Sequence, residues 1–331
     1  MTRNQFLPAL LSSCVLALAS GTALAEDQVV NLYSARHYST DEALYSDFTK
    51  ATGIKVNRVD ADDAGILARL KAEGSASPAD VVLLVDAARL YKGEVDGLFQ
   101  PIQSKVLNDA IPAHLRSAPA ADGGISWFGL STRARVIVYN KVKVDKNDVD
   151  TYEELGDPKN KGKLCIRSGS HPYNLSLFGA VTEHLGEQKA QDWLKGMVDN
   201  LARSPKGGDT DQIKAVAAGE CGVTISNTYY LARLMRSTKP DDQQAMNAVG
   251  IAWPNQATWG THINVSGAGV LKHAPIRAAA LKFMEYLAGN EAQAYFADGN
   301  NEWPVVKGSV AANPTLVAMG TFKPDTLPIG E

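Results

Sequence analysis

The stretch WFGLSTRARVIVYN, residues 127–140, decides how the fold is read. Its aromatic and β-branched residues favour a strand. It is longer than the usual range of about 3–10 residues, and it carries Arg133 and Arg135 at its middle. A strand of that length with charges midway would leave one lobe and enter another. A second extended stretch, residues 250–265, continues into GTHINVSGAGVL (260–271) and would cross back.

An α/β rhythm runs outward from these crossings on both sides. Upstream, residues 29–33 read as a first strand. Ser39 and Glu42 then have the spacing of a capping box, which predicts a helix over 41–51 that stops at Gly53. A strand over 54–59 follows, then a short amphipathic helix marked by Ile66, Leu67 and Leu70 and ending at Gly74. Residues 80–85, DVVLLV, are nearly continuously apolar, as in a strand buried on both faces. Strand, helix, strand, helix, strand is the opening of a doubly wound α/β unit. Downstream, strands are expected at 164–166 and 221–226. Helices are expected at 175–185, 188–198, 211–218, 229–236, 275–287 and 291–296. Two crossings around a central α/β unit predict a discontinuous first lobe, residues 26–133 with 262–331. The second lobe is 134–261, and a cleft between hinge strands would close on a ligand.

The first 25 residues read as a secretory signal: Arg3, an apolar run from Phe6 to Ala19, and Ala23-Leu24-Ala25 before Glu26. Leu11-Ser12-Ser13-Cys14 competes as a lipoprotein box. Cleavage after Ala25 is preferred, because it leaves an apolar region of ordinary length. Cleavage removes one positive charge from a chain whose net charge is −3, and this acidic balance argues against a nucleic-acid partner. Roughly 300 residues remain, more than one core usually holds. Of three cysteines, Cys165 and Cys221 stay in the exported chain. The oxidising compartment favours one disulfide over two separate thiols.

Three segments place tyrosine where a strand gives way to a helix: residues 34–38 (SARHY), 171–174 (HPYN) and 227–230 (NTYY). In open α/β sheets ligands bind beyond the carboxyl ends of strands. Phenolate is a compact oxygen donor suited to a hard trivalent cation such as Fe(III). The phenol is neutral in water, with a pKa of about 10, so the metal must displace its proton. Asn227 would cap a helix in whose first turn Tyr229 and Tyr230 lie. Each of the 11 tyrosines also has a plain reading as core or cleft lining. Arg36, Arg133 and Arg135 read either as structural ion-pair residues or as holders of phenolates or a bound anion. Asp60, Asp62 and Asp63 read first as a solvated loop and helix start, and second as a source of a metal carboxylate.

Taken together, LYSARHY (32–38), RVDADDAGILARLKAEG (58–74), DVVLLVDAARL (80–90), GLSTRARVIVYN (129–140), IRSGSHPYNLSLFGA (166–180), SNTYYLARL (226–234) and NVSGAGVLKHAP (264–275) resemble the periplasmic ferric-iron-binding proteins of bacterial ABC importers. The resemblance spans nearly the whole exported chain, and SARHY and NTYYLARL are its most specific pieces. It implies the two-lobed, type II-like periplasmic-binding-protein fold and an ABC importer permease as partner. It also implies a monomeric periplasmic carrier and a tyrosine-rich ligand set: Tyr38, Tyr173, Tyr229 and Tyr230, with His37 a ligand in some members. Arg36 or Arg133 would hold a synergistic anion such as carbonate where one is used. The rival readings are a binding protein for a small organic anion or polyamine in the same cleft, and an enzyme. HExxH, GxSxG and P-loop spacings are missing, so a stoichiometric carrier is expected rather than a catalyst.

Overall fold

The computed structural model describes Met1 and residues 29–36, 41–307 and 313–328. The signal segment with its cleavage site, the Ser39 cap, His37 and Tyr38 lie outside the described residues.

The strands are β1 (Val29–Ser34), β2 (Lys55–Asp60), β3 (Val81–Leu84), β4 (Phe128–Asn140), β5 (Val223–Asn227), β6 (Val249–Ala252), β7 (Ile263–Val270) and β8 (Trp303–Pro304). The helices are α1 (Asp41–Thr52), α2 (Asp63–Glu73), α3 (Ala87–Val95), α4 (Lys105–Ala110), α5 (Pro172–Leu185), α6 (Glu187–Asp199), α7 (Asp209–Ala217), α8 (Thr228–Arg236), α9 (Pro240–Ala248), α10 (Arg277–Leu287), α11 (Asn290–Asn300) and α12 (Pro314–Ala318).

The expected doubly wound opening is present. β1 pairs in parallel with β2 on one side and β3 on the other. All four residues of β3 are buried, as its unbroken apolar run requires. α2 starts at a cap in which Asp62 accepts from the Gly65 amide at 2.7 Å, and it ends at Gly74, whose φ is +53°. The Asp60 carboxylate pairs with Arg58, and Asp63 accepts from the Val85 amide, so this acidic cluster serves a loop and a helix start.

β4 carries two ladders end to end. Its first half, through Ala134, pairs antiparallel with β7; from Arg135 onward it pairs with β5, and from Ile137 also with β6. One buried strand therefore belongs to both ends of the structure. Two expectations change in form. Residues 164–166 make only isolated bridges, Leu164 to Leu201 and to Val223, with the Cys165 amide donating to the Val223 carbonyl at 3.0 Å. The second extended stretch splits into β6 and β7. Pro254 lacks a donor and Asn255 adopts φ +58°, so the chain turns between them.

Cys165 and Cys221 form a disulfide with Cα atoms 5.9 Å apart, closing a sequence separation of 56. It fastens the segment before α5 to the start of β5.

A buried ion pair fastens the start of α7, the segment before α5 and the end of β5 to β4. Arg135 Nη1 donates to Asp209 Oδ2 at 2.6 Å, and Arg167 reaches the other carboxylate oxygen at 3.2 Å. The Asn227 amide also donates to Asp209, at 2.9 Å. Burial pushes the Asp209 pKa up, but Arg135, the Asn227 amide and Arg167 outweigh burial and hold it below the usual carboxylate range.

Replacing both cysteines with serine should cost about 2–4 kcal/mol of stability, read from the denaturant midpoint. An unchanged midpoint under non-reducing conditions contradicts the bridge. Asp209→Asn should cost about 3–5 kcal/mol, because it leaves two guanidiniums without their carboxylate. A depressed native pKa contributes stability that is present above the unfolded value of about 3.9 and is lost as the pH falls through the native value. Acid unfolding should therefore be flatter in the variant over that window than in the parent.

Candidate metal centre

Tyr173 stands in the first turn of α5. His171 caps that helix, its Nδ1 accepting from the Tyr173 amide at 3.2 Å, and Pro172 occupies the first helical position, where no amide is needed. Tyr229 and Tyr230 stand in the first turn of α8, directly after β5. Both helices aim their amino termini at the same place. The Tyr229 hydroxyl donates to the Tyr173 hydroxyl at 3.1 Å. The Tyr230 ring packs on the Tyr229 ring with centroids 4.4 Å apart. Three of the expected tyrosines are thus brought together from segments 56 residues apart in sequence.

That spacing has a chemical meaning. Two oxygens bound side by side on an octahedral ion at about 2.0–2.1 Å lie about 2.8–3.0 Å apart. The phenolic oxygens already stand close to this separation. Among the described residues no group of three or more His, Cys, Asp or Glu side chains converges on a possible metal position. The converging donors described here are phenols.

The surroundings are cationic. Residues 133 and 135 share one face of β4, as strand alternation dictates. Their guanidinium carbons lie 5.8 and 6.0 Å from the Tyr173 ring centre, and that of Arg167 lies 5.2 Å away. Arg233, one turn beyond Tyr229, lies 5.2 Å from its ring. Burial pushes the Tyr173 pKa up, with Arg133 opposing, and the net direction is upward. The phenol is therefore held as a neutral acid until something displaces its proton. Burial works against the Arg133 charge as well, yet Glu302, Tyr173, Tyr229 and Asp86 raise its pKa above the ordinary value.

Arg36 is buried in ion pairs with Asp41 at 3.1 Å and Glu302 at 3.0 Å. Arg133 donates to Ser266 at 3.0 Å. Of the two arginines expected at the site, Arg133 faces the tyrosines and Arg36 anchors the start of α1. Asn227 occupies the cap position but makes no side-chain cap. Its Oδ1 accepts from Arg135 at 3.0 Å, and its amide nitrogen donates to the Tyr229 hydroxyl at 3.4 Å. The buried arginine is the better donor and takes the oxygen. Sequence reasoning passed over Arg167, Asp209 and Arg233. Arg167 and Arg233 lie inside stretches rich in site residues, whereas Asp209 had only Gly207-Gly208 before it as a signal.

Residues 43–323 match the family described as bacterial extracellular solute-binding protein. The chain is 49% identical over 319 residues to iron uptake protein A1 of Synechocystis sp., covering 96% of this chain and 87% of that one. It is similar to the solved structure of the Trichodesmium IdiA (FutA) protein in complex with iron and citrate. The TM-score is 0.86 and the identity 50%, covering 91% of this chain and 94% of that one. The ferric binding protein from Campylobacter jejuni superposes with a TM-score of 0.83 at 40% identity, covering 91% of this chain and 93% of that one. The chain belongs to the bacterial extracellular solute-binding proteins, within the group that holds the iron uptake and ferric-binding proteins.

Proposed function

We propose that this protein is a periplasmic carrier that captures Fe(III) through tyrosine phenolates and passes it to the permease of an ABC importer. The observation that carries the reading is the 3.1 Å separation of the Tyr173 and Tyr229 hydroxyls at the meeting of two helix amino termini. Iron and citrate in the Trichodesmium relative support the same cargo.

The ligand set is Tyr173, Tyr229 and Tyr230, completed by Tyr38 and by His37 as ligand or hydrogen-bond partner. Residues 26–133 with 262–331 act as one lobe and 134–261 as the other. Iron docks first on the second lobe, which supplies three phenols. Closure about the crossing strands then brings the first lobe's residues across. Arg133 offsets the charge of the phenolates and is the residue best placed to hold carbonate where an anion takes part. Arg36 supports the segment that carries His37 and Tyr38. Release follows reduction, since Fe(II) suits phenolates less well, or protonation. The protein works as a monomer, is processed after Ala25, and turns over no substrate.

Titration of the apo protein with ferric citrate should raise a broad visible phenolate-to-iron band that saturates at one equivalent. The double variant Tyr229→Phe, Tyr230→Phe should lose or shift it. A featureless spectrum for the parent would falsify the ferric reading and direct attention to organic ligands.

Each phenol gives up a proton when it binds the metal. Affinity should therefore fall as the pH falls, by about tenfold per unit for each proton released. Equilibrium dialysis across a pH series measures this, and an affinity indifferent to acid rules phenolate ligation out.

A further inference from the structure

The Tyr173 and Tyr229 hydroxyls belong to different helices, and their spacing must be imposed from outside the pair. One guanidinium touches the neighbours of both. Arg135 Nη2 donates to Asn174 Oδ1 at 2.6 Å, and Asn174 directly follows Tyr173. Arg135 Nη1 donates to Asn227 Oδ1 at 3.0 Å, and Asn227 in turn donates to the Tyr229 hydroxyl. Asn174 is held at its other end as well, its amide donating to the carbonyls of Arg167 and Ser168 at 3.2 and 3.1 Å. Asp209 fixes the guanidinium itself, and Arg135, Asn174, Asp209 and Asn227 are all buried.

We propose that Arg135 is the positioning residue of the tyrosine site: its planar fork sets the separation of the Tyr173 and Tyr229 oxygens before a metal arrives. This rests on the ferric reading above. An arginine suits the task because its donors point in fixed directions to three acceptors, whereas an ammonium is a point charge on a flexible stem. Asp209 then acts through Arg135, by locking the rotamer that reaches both asparagines. The arrangement explains why the crossing strand carries a charge at its midpoint. Arg135 sits where β4 exchanges β7 for β5, within reach of both tyrosine helices.

The test is the ferric titration run on the parent, Arg135→Lys and Asn174→Ala, with thermal unfolding recorded beside it. Arg135→Lys keeps the charge and loses the fork. Asn174→Ala removes one acceptor and remains informative where the buried lysine fails to fold. Supporting partners behind metal ligands typically change affinity by about 10–100-fold when mutated. A loss of that size with a displaced charge-transfer band, in a variant that still unfolds cooperatively, supports positioning. A lowered unfolding temperature with parental affinity and band position overturns it and leaves the ferric reading standing. No band in the parent overturns both.

Discussion

A charged side chain buried in the middle of a strand has to be answered locally, and Arg135 is such a side chain. Taking an arginine and an aspartate out of water costs several kcal/mol each, and their attraction repays this only with good geometry and further hydrogen bonds. Here the further bonds come from Asn174, Asn227 and Arg167, the groups that flank the tyrosines. Satisfying the strand's charge and building the proposed ligand pair are therefore one operation. The cluster adds little net stability, but it leaves few other arrangements of the two helix starts that keep Asp209, Asn174 and Asn227 bonded to Arg135.

The crossing strand explains how such a cluster would coexist with the proposed closure. β4 contributes its first half to the ladder with β7 and its second half to the ladder with β5. The tyrosines and their asparagines all follow the second half. A rotation about the crossing strands would leave Tyr173, Tyr229 and Tyr230 fixed relative to one another while changing what faces them. In the proposed mechanism, a preassembled half-site on one side of the hinge would need only complementary groups from the other side to complete it.

Much of this was legible in the chain. The length of residues 127–140, the buried run of β3 and the glycine stops of α1 and α2 follow from local chemistry that tertiary packing did not overrule. The junction tyrosines were legible because strand-to-helix transitions have recognisable caps and prolines, as at His171-Pro172. What stayed hidden depended on long-range competition. Asn227 has the residue type of a cap, yet a guanidinium 92 positions away takes its oxygen. Asp209 looks like any acid in a first turn until Arg135 and Arg167 close on it. The turn at Pro254-Asn255 was signalled by its residue types, and the apolar residues flanking it drew the reading toward a continuous strand.

The direction of the Tyr173 shift bears on which ion the proposed site would select. A phenol whose pKa is raised by burial resists every cation in proportion to the work of removing its proton. A divalent ion with modest polarising power gains less from phenolate to set against that cost. A trivalent ion gains far more, and each displaced proton leaves a negative charge near Arg133, whose guanidinium already faces the Tyr173 ring. Arg133 favours the phenolate form of Tyr173 and so works toward the loaded state. On this view selectivity resides less in the size of the cleft than in the proton inventory of its ligands. The same inventory makes the loaded state sensitive to acid and to reduction, the two changes that weaken the metal's claim on phenolate.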